Sequence, residues 1–335
     1  MERTRPASTL SQVIFKRRLL AYGALASTLA IFLLNLRWGE NGDDSGAFSP
    51  MCSPDGSCHE SPSIPSPRTV HSAWNREQLD LWWEAHVALN RSAEVYARRT
   101  FPADVAKRPL VLLGDSITES WLGTNMGEAE GRCAGVPEVL KKYVSGTSWR
   151  PLVLAIGGDQ TQHLLWRILH GELRPEYADN KDAVFVVLIG TNNLGRGHLP
   201  KPTAEGIEAV ARYLLENTKG RIVLLSLLPR EDNEKVSRLC PPRCNSKGKP
   251  FKSFMPAVEI VNTRLIEFAG DISKTYGRRF GHVDCGAAFQ KDTSVEGGTG
   301  VNESLMPDSL HPNAMGHQKL LDCIMGCAEH DRCGS

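Results

Sequence analysis

Between about residue 71 and residue 330 the chain alternates short apolar runs with longer amphipathic segments. The runs predict five strands, at Leu110–Leu113, Leu152–Ile156, Ala183–Ile189, Arg221–Leu228 and Phe280–Val283. Apolar residues at helical spacing, or a proline suited to a first helical turn, predict helices before, between and after these strands. These are at Trp74–Arg99, Pro137–Val144, Thr161–Leu169, Thr203–Asn217, Met255–Tyr276 and Asn313–Cys327. Such alternation predicts an α/β fold, with a mostly parallel sheet and helices on both of its faces.

The overall charge gives no reason to expect a nucleic acid partner. The chain has 335 residues and a formal net charge of +1. Proteins that bind nucleic acids usually carry a strong positive excess, and this one does not.

An apolar segment at Leu19–Leu36 precedes the predicted domain. Eighteen residues span about 27 Å as a helix, just under the apolar thickness of a bilayer. Lys16, Arg17 and Arg18 come directly before the segment, and acidic residues soon follow it. This charge bias predicts a single-pass type II anchor with residues 1–18 in the cytosol and the domain in the Golgi lumen or at the cell surface. A cleaved signal peptide and a secreted domain are the alternative.

Residues 37–70 are rich in Gly, Ser, Pro and Asp, which predicts a flexible stem before a domain over 71–330.

The chain has nine cysteines, a number consistent with disulfides in an oxidising lumen. Because nine is odd, at least one cysteine lies outside intrachain pairs. Cys52 with Cys58, and Cys240 with Cys244, are close enough for local loops; a zinc site is the alternative. Sequons at Asn90 and Asn302 would accept glycans in that lumen.

Polar clusters follow the predicted strands or precede the last helix. They are Gly114-Asp115-Ser116, Gly157-Gly158-Asp159, Gly190-Thr191-Asn192-Asn193 and Asp308-Ser309-Leu310-His311. Each alone is more typical of an ordinary turn or helix cap. Together, at the edge where ligands bind in open α/β sheets, they meet the requirements of acyl transfer.

That reaction needs a nucleophile, a base, a group that orients the base, and donors for an oxyanion. Ser116 supplies the hydroxyl and His311 the base. Asp308 lies three residues before His311, so one helical turn would bring their side chains to one side. The backbone of Ser116 and Gly158, together with the Asn192 carboxamide, would donate to the oxyanion.

The same blocks resemble the SGNH, or GDSL-type, esterases and lipases. The run from Ile156 to Arg167, with Gly171-Glu172-Leu173, Gly190–Asn193 and Leu227–Arg230, is especially similar to the catalytic subunits of intracellular platelet-activating-factor acetylhydrolases. The resemblance implies a flavodoxin-like three-layer α/β/α fold with Ser116 as nucleophile, Asp308 and His311 as the other triad members, and Gly158 and Asn192 as oxyanion donors. It also implies no metal or cofactor, and pairing as a homodimer.

Two segments look additional to the resembled family, Trp121–Gly135 and the insert 231–250. Both are expected near the mouth of the site, so the resemblance does not fix the substrate. The sequence predicts a serine esterase that removes short acyl groups, acetyl foremost, from a glycan or a lipid. An acyltransferase on the same fold and a catalytically silent binding domain are the alternatives.

Overall fold

A computed structural model describes residues 58–72, 75–98, 108–240, 243–291, 300–330 and 333. The predicted anchor at Leu19–Leu36 lies outside these residues. Within them, no helix is both long and apolar enough to span a bilayer.

A parallel sheet organises the described part of the chain. Its strands run in the order β4-β1-β5-β6-β7, and every neighbouring pair is parallel. They are β1 Arg108–Gly114, β4 Trp149–Ala155, β5 Val184–Leu188, β6 Arg221–Leu225 and β7 Phe280–Val283. With the strands numbered within the sheet alone, the order is 2-1-3-4-5, that of flavodoxin-like folds. The predicted α/β architecture and its five strands are confirmed.

Helices cover both faces of this sheet. They are α1 Arg76–Arg98, α2 Ser116–Glu119, α3 Val136–Ser145, α4 Thr161–Arg167, α5 Pro175–Ala178, α6 Thr191–Gly195, α7 Pro200–Asn217, α8 Asn233–Arg238, α9 Met255–Tyr276 and α10 Ala314–His330. Short 3-10 turns lie at Ser120–Leu122, Gly131–Cys133, Gly277–Arg279 and Gly286–Phe289, and a π-helical turn at Ile168–Glu172. A small antiparallel hairpin joins β2 Thr124–Asn125 to β3 Glu128–Ala129.

Successive residues of each strand enter different cores because strand side chains alternate between faces. On one face, Val111 and Leu113 of β1 pack in a cluster that includes residues of α1, α4, α7 and α9. On the other face, Leu110 and Leu112 join a cluster with α3 and α10. Burial on both faces explains the lack of polar alternation in the central strands. The result is a three-layer α/β/α arrangement that fixes the carboxyl ends of the strands.

The prediction of a flexible stem over 37–70 does not hold for its described part, residues 58–70. Pro62 accepts a hydrogen bond of 2.8 Å from the Thr161 hydroxyl. Glu60 accepts from Gln162 at 3.0 Å, and Arg68 is only 3% exposed. Specific polar contacts with α4 and the β4–α4 turn hold this segment, and a composition rich in Pro and Ser does not reveal such contacts.

Disulfides join Cys240 to Cys244, Cys285 to Cys323 and Cys327 to Cys333. Cys58 is also disulfide-bonded. The predicted local loop at Cys240 is therefore confirmed, and these cysteines do not form the alternative zinc site. Among the cysteines that the structure describes, Cys133 is free and buried.

Candidate active site

The end of β1 delivers Ser116 to the edge of the sheet. Gly114 is the last residue of the strand, and a Cβ there would overlap the carbonyl oxygen of Leu188 and the Thr118 hydroxyl. Asp115 caps the helix α2, because its Oδ1 accepts the Ile117 N–H at 3.1 Å. Ser116 is the first residue of α2, where backbone N–H groups have no acceptor within the helix.

Ser116, His311 and Asp308 form a continuous chain of hydrogen bonds. Ser116 Oγ lies 2.9 Å from His311 Nε2, and His311 Nδ1 lies 2.6 Å from Asp308 Oδ2. An ionised carboxylate only accepts, so Nδ1 carries the proton and Nε2 is free to accept from the serine. The structure thus brings together the three residues predicted as a triad, although they span almost two hundred positions.

The expectation of a helical turn between Asp308 and His311 is wrong. Both residues precede α10, in a turn where Ser309 has a φ of 60°. Asp308 Oδ1 closes this turn by accepting the N–H groups of Leu310 at 3.0 Å and His311 at 2.7 Å. One carboxylate therefore builds the turn with one oxygen and holds the imidazole with the other.

The environment favours a neutral imidazole next to an ionised carboxylate. Burial lowers the pKa of His311 below its usual value; the hydrogen bond that His311 donates to Asp308 opposes this effect, and the charge of Arg132 adds to it. Burial raises the pKa of Asp308, but the hydrogen bonds that its carboxylate accepts from the side chain of His311 and from the backbone of His311 and Leu310 hold that pKa well below its usual range. His311 can therefore accept a proton near neutral pH.

Gly158 and Asn192, the two predicted oxyanion donors besides Ser116, line the same cleft as Ser116. Gly158 has a φ of 77°, which strongly favours glycine. The Asn192 amide donates to Asp159 O at 2.9 Å and to Asp115 Oδ2 at 3.2 Å. Both N–H groups of the Asn192 amide already donate to protein acceptors. Donation to an oxyanion would therefore require one N–H group to be shared between its present acceptor and the oxyanion.

Asp115 connects the nucleophile to this donor. Its side chain is fully buried, and burial raises its pKa to about 7, against the effect of the hydrogen bond from Ile117. The nearby Asp159 carboxylate raises the pKa further. The residue caps the helix of Ser116 with one oxygen and orients Asn192 with the other.

Glu119 is a structural element of the site that the sequence analysis missed. It is 1% exposed. Its carboxylate accepts the N–H groups of Gly157 at 2.6 Å and of Met126 and Gly127 at 2.8 Å each. Glu119 thereby fixes both the turn before Gly158 and the β2–β3 hairpin. The sequence did offer one indication of this role, because Glu119 is the only charged residue in the run Ile117–Leu122 that follows Ser116.

Arg68 was also missed. Its Nη2 donates to Gly157 O at 2.9 Å and to Asp159 Oδ1 at 3.1 Å. A Cβ on Gly158 would lie 3.0 Å from the same nitrogen. No local pattern identifies Arg68, because its partners lie about ninety residues away along the chain.

These elements surround an open cleft with a volume of about 210 Å³, here called the Ser116 cleft. Its walls include Ser116 and His311, the glycines of the β4–α4 turn, and Arg132 from the segment after the hairpin. Lys235, on the insert helix α8, also lines it. Within the described residues, no group of three or more His, Cys, Asp or Glu side chains is placed to hold a metal ion.

Comparison with known proteins identifies the family to which this sequence belongs. The GDSL-like Lipase/Acylhydrolase family matches residues 112–319, more than half of the chain. Platelet-activating factor acetylhydrolase IB subunit alpha1 of Pongo abelii is 38% identical over 115 residues, which cover 32% of this chain and 46% of that protein. The alpha2 subunit of Gallus gallus is 33% identical over 135 residues, covering 39% and 56%. The chain thus spans about half the length of the curated relatives it matches.

Among solved structures, a catalytic mutant of Axe2, an acetylxylan esterase from Geobacillus stearothermophilus, is 15% identical with a TM-score of 0.43. The alignment covers 66% of this chain and 94% of that one. The family match includes Ser116, Gly158, Asn192, Asp308 and His311 within its bounds. The chain belongs to the GDSL-like lipase/acylhydrolase family, the SGNH group of carboxylic ester hydrolases.

Proposed function

We propose that this protein is a serine esterase that hydrolyses short-chain esters, acetyl esters foremost. The observation that carries the proposal is the hydrogen-bonded chain from Ser116 Oγ through His311 to Asp308, with Oγ 2.9 Å from Nε2. This arrangement supplies a nucleophile, its base and the group that orients the base.

In the first half-reaction, Ser116 Oγ forms a bond to the acyl carbon while His311 Nε2 takes the hydroxyl proton. We assign the backbone N–H groups of Ser116 and Gly158 as donors to the oxygen that becomes negatively charged. The Asn192 amide is a third donor if it shares a hydrogen bond that it now makes to Asp159 or Asp115. A single donor of this kind contributes about 2.7–4 kcal/mol to transition-state stabilisation. As the ester bond breaks, His311 returns its proton to the alcohol oxygen, which leaves Ser116 acylated.

In the second half-reaction, water attacks the acyl-enzyme and gives a proton to His311. The carbon–Oγ bond then breaks, and the proton returns to Ser116 as the carboxylic acid leaves. Asp308 stays ionised throughout and stabilises the imidazolium, in agreement with its lowered pKa.

A short acyl group suits the walls of the Ser116 cleft. Met126 and Leu310 are its large apolar side chains, and most of the other lining groups are polar, charged or glycine. A long acyl chain would need more apolar surface than these two residues offer. The names of the acetylhydrolase relatives point to the same acyl group. The alcohol part of the ester is a glycan or a lipid.

Release of acetate from p-nitrophenyl acetate tests the proposal. We expect hydrolysis to fall steeply as the acyl chain lengthens from acetyl to octanoyl. Absence of turnover with every chain length would contradict the esterase. An acyltransferase would use the same triad but would pass the acyl group to a sugar hydroxyl, so acetate release without an added acceptor distinguishes the hydrolase.

We further propose the secretory-pathway address with a type II anchor, or a secreted form if the segment is cleaved. The basic residues before Leu19–Leu36 and the disulfides of the domain support this address.

Of the two sequons we propose that Asn302 carries the glycan, because Asn90 lies within α1 and its amide donates to His170 O at 3.1 Å. Protease protection of the domain in sealed vesicles tests the address; the homodimer stays a prediction.

A further inference from the structure

The Ser116 cleft carries an excess of positive charge. Five cationic side chains line it: Arg68, Arg132, Arg196, Arg230 and Lys235. Of the described residues that line it, none is an aspartate or a glutamate, although Arg68 pairs with the buried Asp159 behind the wall of the cleft. Because opposite charges attract strongly where water is partly excluded, such a cleft favours a negatively charged ligand.

Arg132 is a cation of the cleft whose side-chain hydrogen bonds both go to neutral groups. Its Nη1 donates to Ser120 Oγ at 3.0 Å and its Nη2 to Asn125 Oδ1 at 3.3 Å, and both acceptors are neutral. Ser120 Oγ in turn donates to the carbonyl oxygen of Ser116 at 2.8 Å. Throughout the part of the chain that the structure describes, Arg132 forms no ion pair. A guanidinium is therefore positioned close to the nucleophile without an ion-pair partner among the described residues, although its charge also acts on the buried Asp115 carboxyl.

The insert 231–250 contributes to a second local excess of positive charge. Asp232 is shared by Arg230, whose Nε lies 2.5 Å from Oδ1, and by Lys235, whose Nζ lies 3.0 Å from Oδ2. Two cations thus face one carboxylate, and the Lys235 side chain is still 43% exposed. Arg132 and Lys235 belong to the two segments that look additional to the resembled family.

The charges of Arg132 and Lys235 act on the catalytic base His311. During attack His311 acquires a positive charge, and Arg132 and Lys235 both disfavour that charge. An anionic group bound between them would offset the repulsion. A negative charge on the substrate would therefore assist the reaction as well as binding.

The remaining walls suit a sugar better than a lipid. Ser72, Gln78 and Asn125 offer hydrogen-bonding groups, whereas a lipid would require a broad apolar surface. We propose that the esterase acts on acyl esters of an anionic sugar, whose carboxylate, sulfate or phosphate binds beside Arg132 and Lys235. This inference rests on the esterase proposed above and adds the class of its substrate.

A matched pair of substrates tests the inference: an O-acetylated methyl glucuronoside and the corresponding O-acetylated glucuronamide. They differ by one negative charge. We expect the wild-type protein to prefer the carboxylate about tenfold in kcat/KM, mainly through KM, and to lose this preference as ionic strength rises. The preference should disappear in the double variant Arg132→Gln/Lys235→Gln, persist in Arg132→Lys, and persist in Lys274→Gln, a charge-removing control outside the cleft.

Competition by glucose 6-sulfate and glucose 6-phosphate, with glucose as the neutral control, identifies the preferred anion. Equal rates for the two sugar substrates, or a preference for acetylated lipid in vesicles, would overturn the inference. If wild type hydrolyses p-nitrophenyl acetate but shows no charge preference, only the substrate class fails. If it hydrolyses none of these esters, the proposed function itself fails.

Discussion

Nη2 of Arg68 lies 2.9 Å from the carbonyl oxygen of Gly157, in the peptide that leads directly to Gly158. The same nitrogen is 3.1 Å from Oδ1 of the fully buried Asp159. A residue from the segment predicted as a stem thus positions the backbone that is proposed to bind the oxyanion. The functional domain therefore extends further toward the N-terminus than residue 71.

Removal of Arg68 should impair catalysis as well as stability, because it also takes one ion-pair partner from the buried Asp159. A fragment that begins at residue 71 should show kcat/KM about 10- to 100-fold below that of a fragment that begins at residue 47, because the Gly158 N–H loses its support. Arg68→Gln in the longer fragment should reproduce much of that loss. Arg76→Gln, an exposed change at the start of α1, is the control. Equal activity of the two fragments would show that Arg68 has no positioning role.

The pH dependence of kcat/KM should follow His311. The base acts in its neutral form, and its pKa lies below the usual 6.5, so activity should rise with pH through a midpoint below 6.5 and then level off. Arg132→Gln removes a charge that lowers this pKa, so its acidic limb should move to higher pH. Lys274→Gln should leave the limb in place. A shift of the Arg132→Gln limb to lower pH would contradict the assigned electrostatics.

Asp308→Asn should reduce turnover less than His311→Ala does. The asparagine oxygen can still close the turn of residues 308–311, but its amide would favour the wrong imidazole tautomer, which costs about 10⁴-fold. Loss of the base costs about 10⁶-fold in a comparable triad. Single-turnover rates with p-nitrophenyl acetate measure both effects. The reverse order would mean that another group holds His311.

The disulfide between Cys285 and Cys323 encloses the turn that carries Asp308 and His311. Its cysteines are 38 positions apart, so replacing both with alanine should destabilise the domain by about 4 kcal/mol on the loop-entropy estimate. The double alanine variant at Cys240 and Cys244, only 4 positions apart, should cost about 2 kcal/mol. Denaturant unfolding measures both, and equal losses would argue against loop closure as the cause.

The fold could be predicted from local sequence because its determinants are local. Each central strand is a short apolar run covered on both faces, and connections of helical length imply parallel strands with right-handed crossovers. The flavodoxin-like strand order was expected only from the family resemblance. The positions of Ser116, Gly158 and Asn192 then follow from the rule that ligands bind beyond the carboxyl ends of the strands. His311 and Asp308 were identified by their spacing and chemistry.

The rest of the site depends on contacts that no local pattern reveals. Arg68 contacts Gly157 and Asp159 across 89 and 91 positions. The turn at Asp308–His311 requires a positive φ at Ser309, a conformation that the spacing of the two residues does not indicate. Arg132 is held by two neutral side chains, so its lack of an ion-pair partner among the described residues becomes visible only when its surroundings are known.

Covalent labelling of Ser116 tests the proposed mechanism most directly. After treatment with a fluorophosphonate, peptide mass spectrometry should find the label on Ser116 of the wild-type protein. Labelling should be absent in Ser116→Ala and much slower in His311→Ala, and Ser116→Ala should lose hydrolysis of p-nitrophenyl acetate. A label on another residue, together with unchanged hydrolysis in Ser116→Ala, would contradict the assignment of Ser116 as the nucleophile.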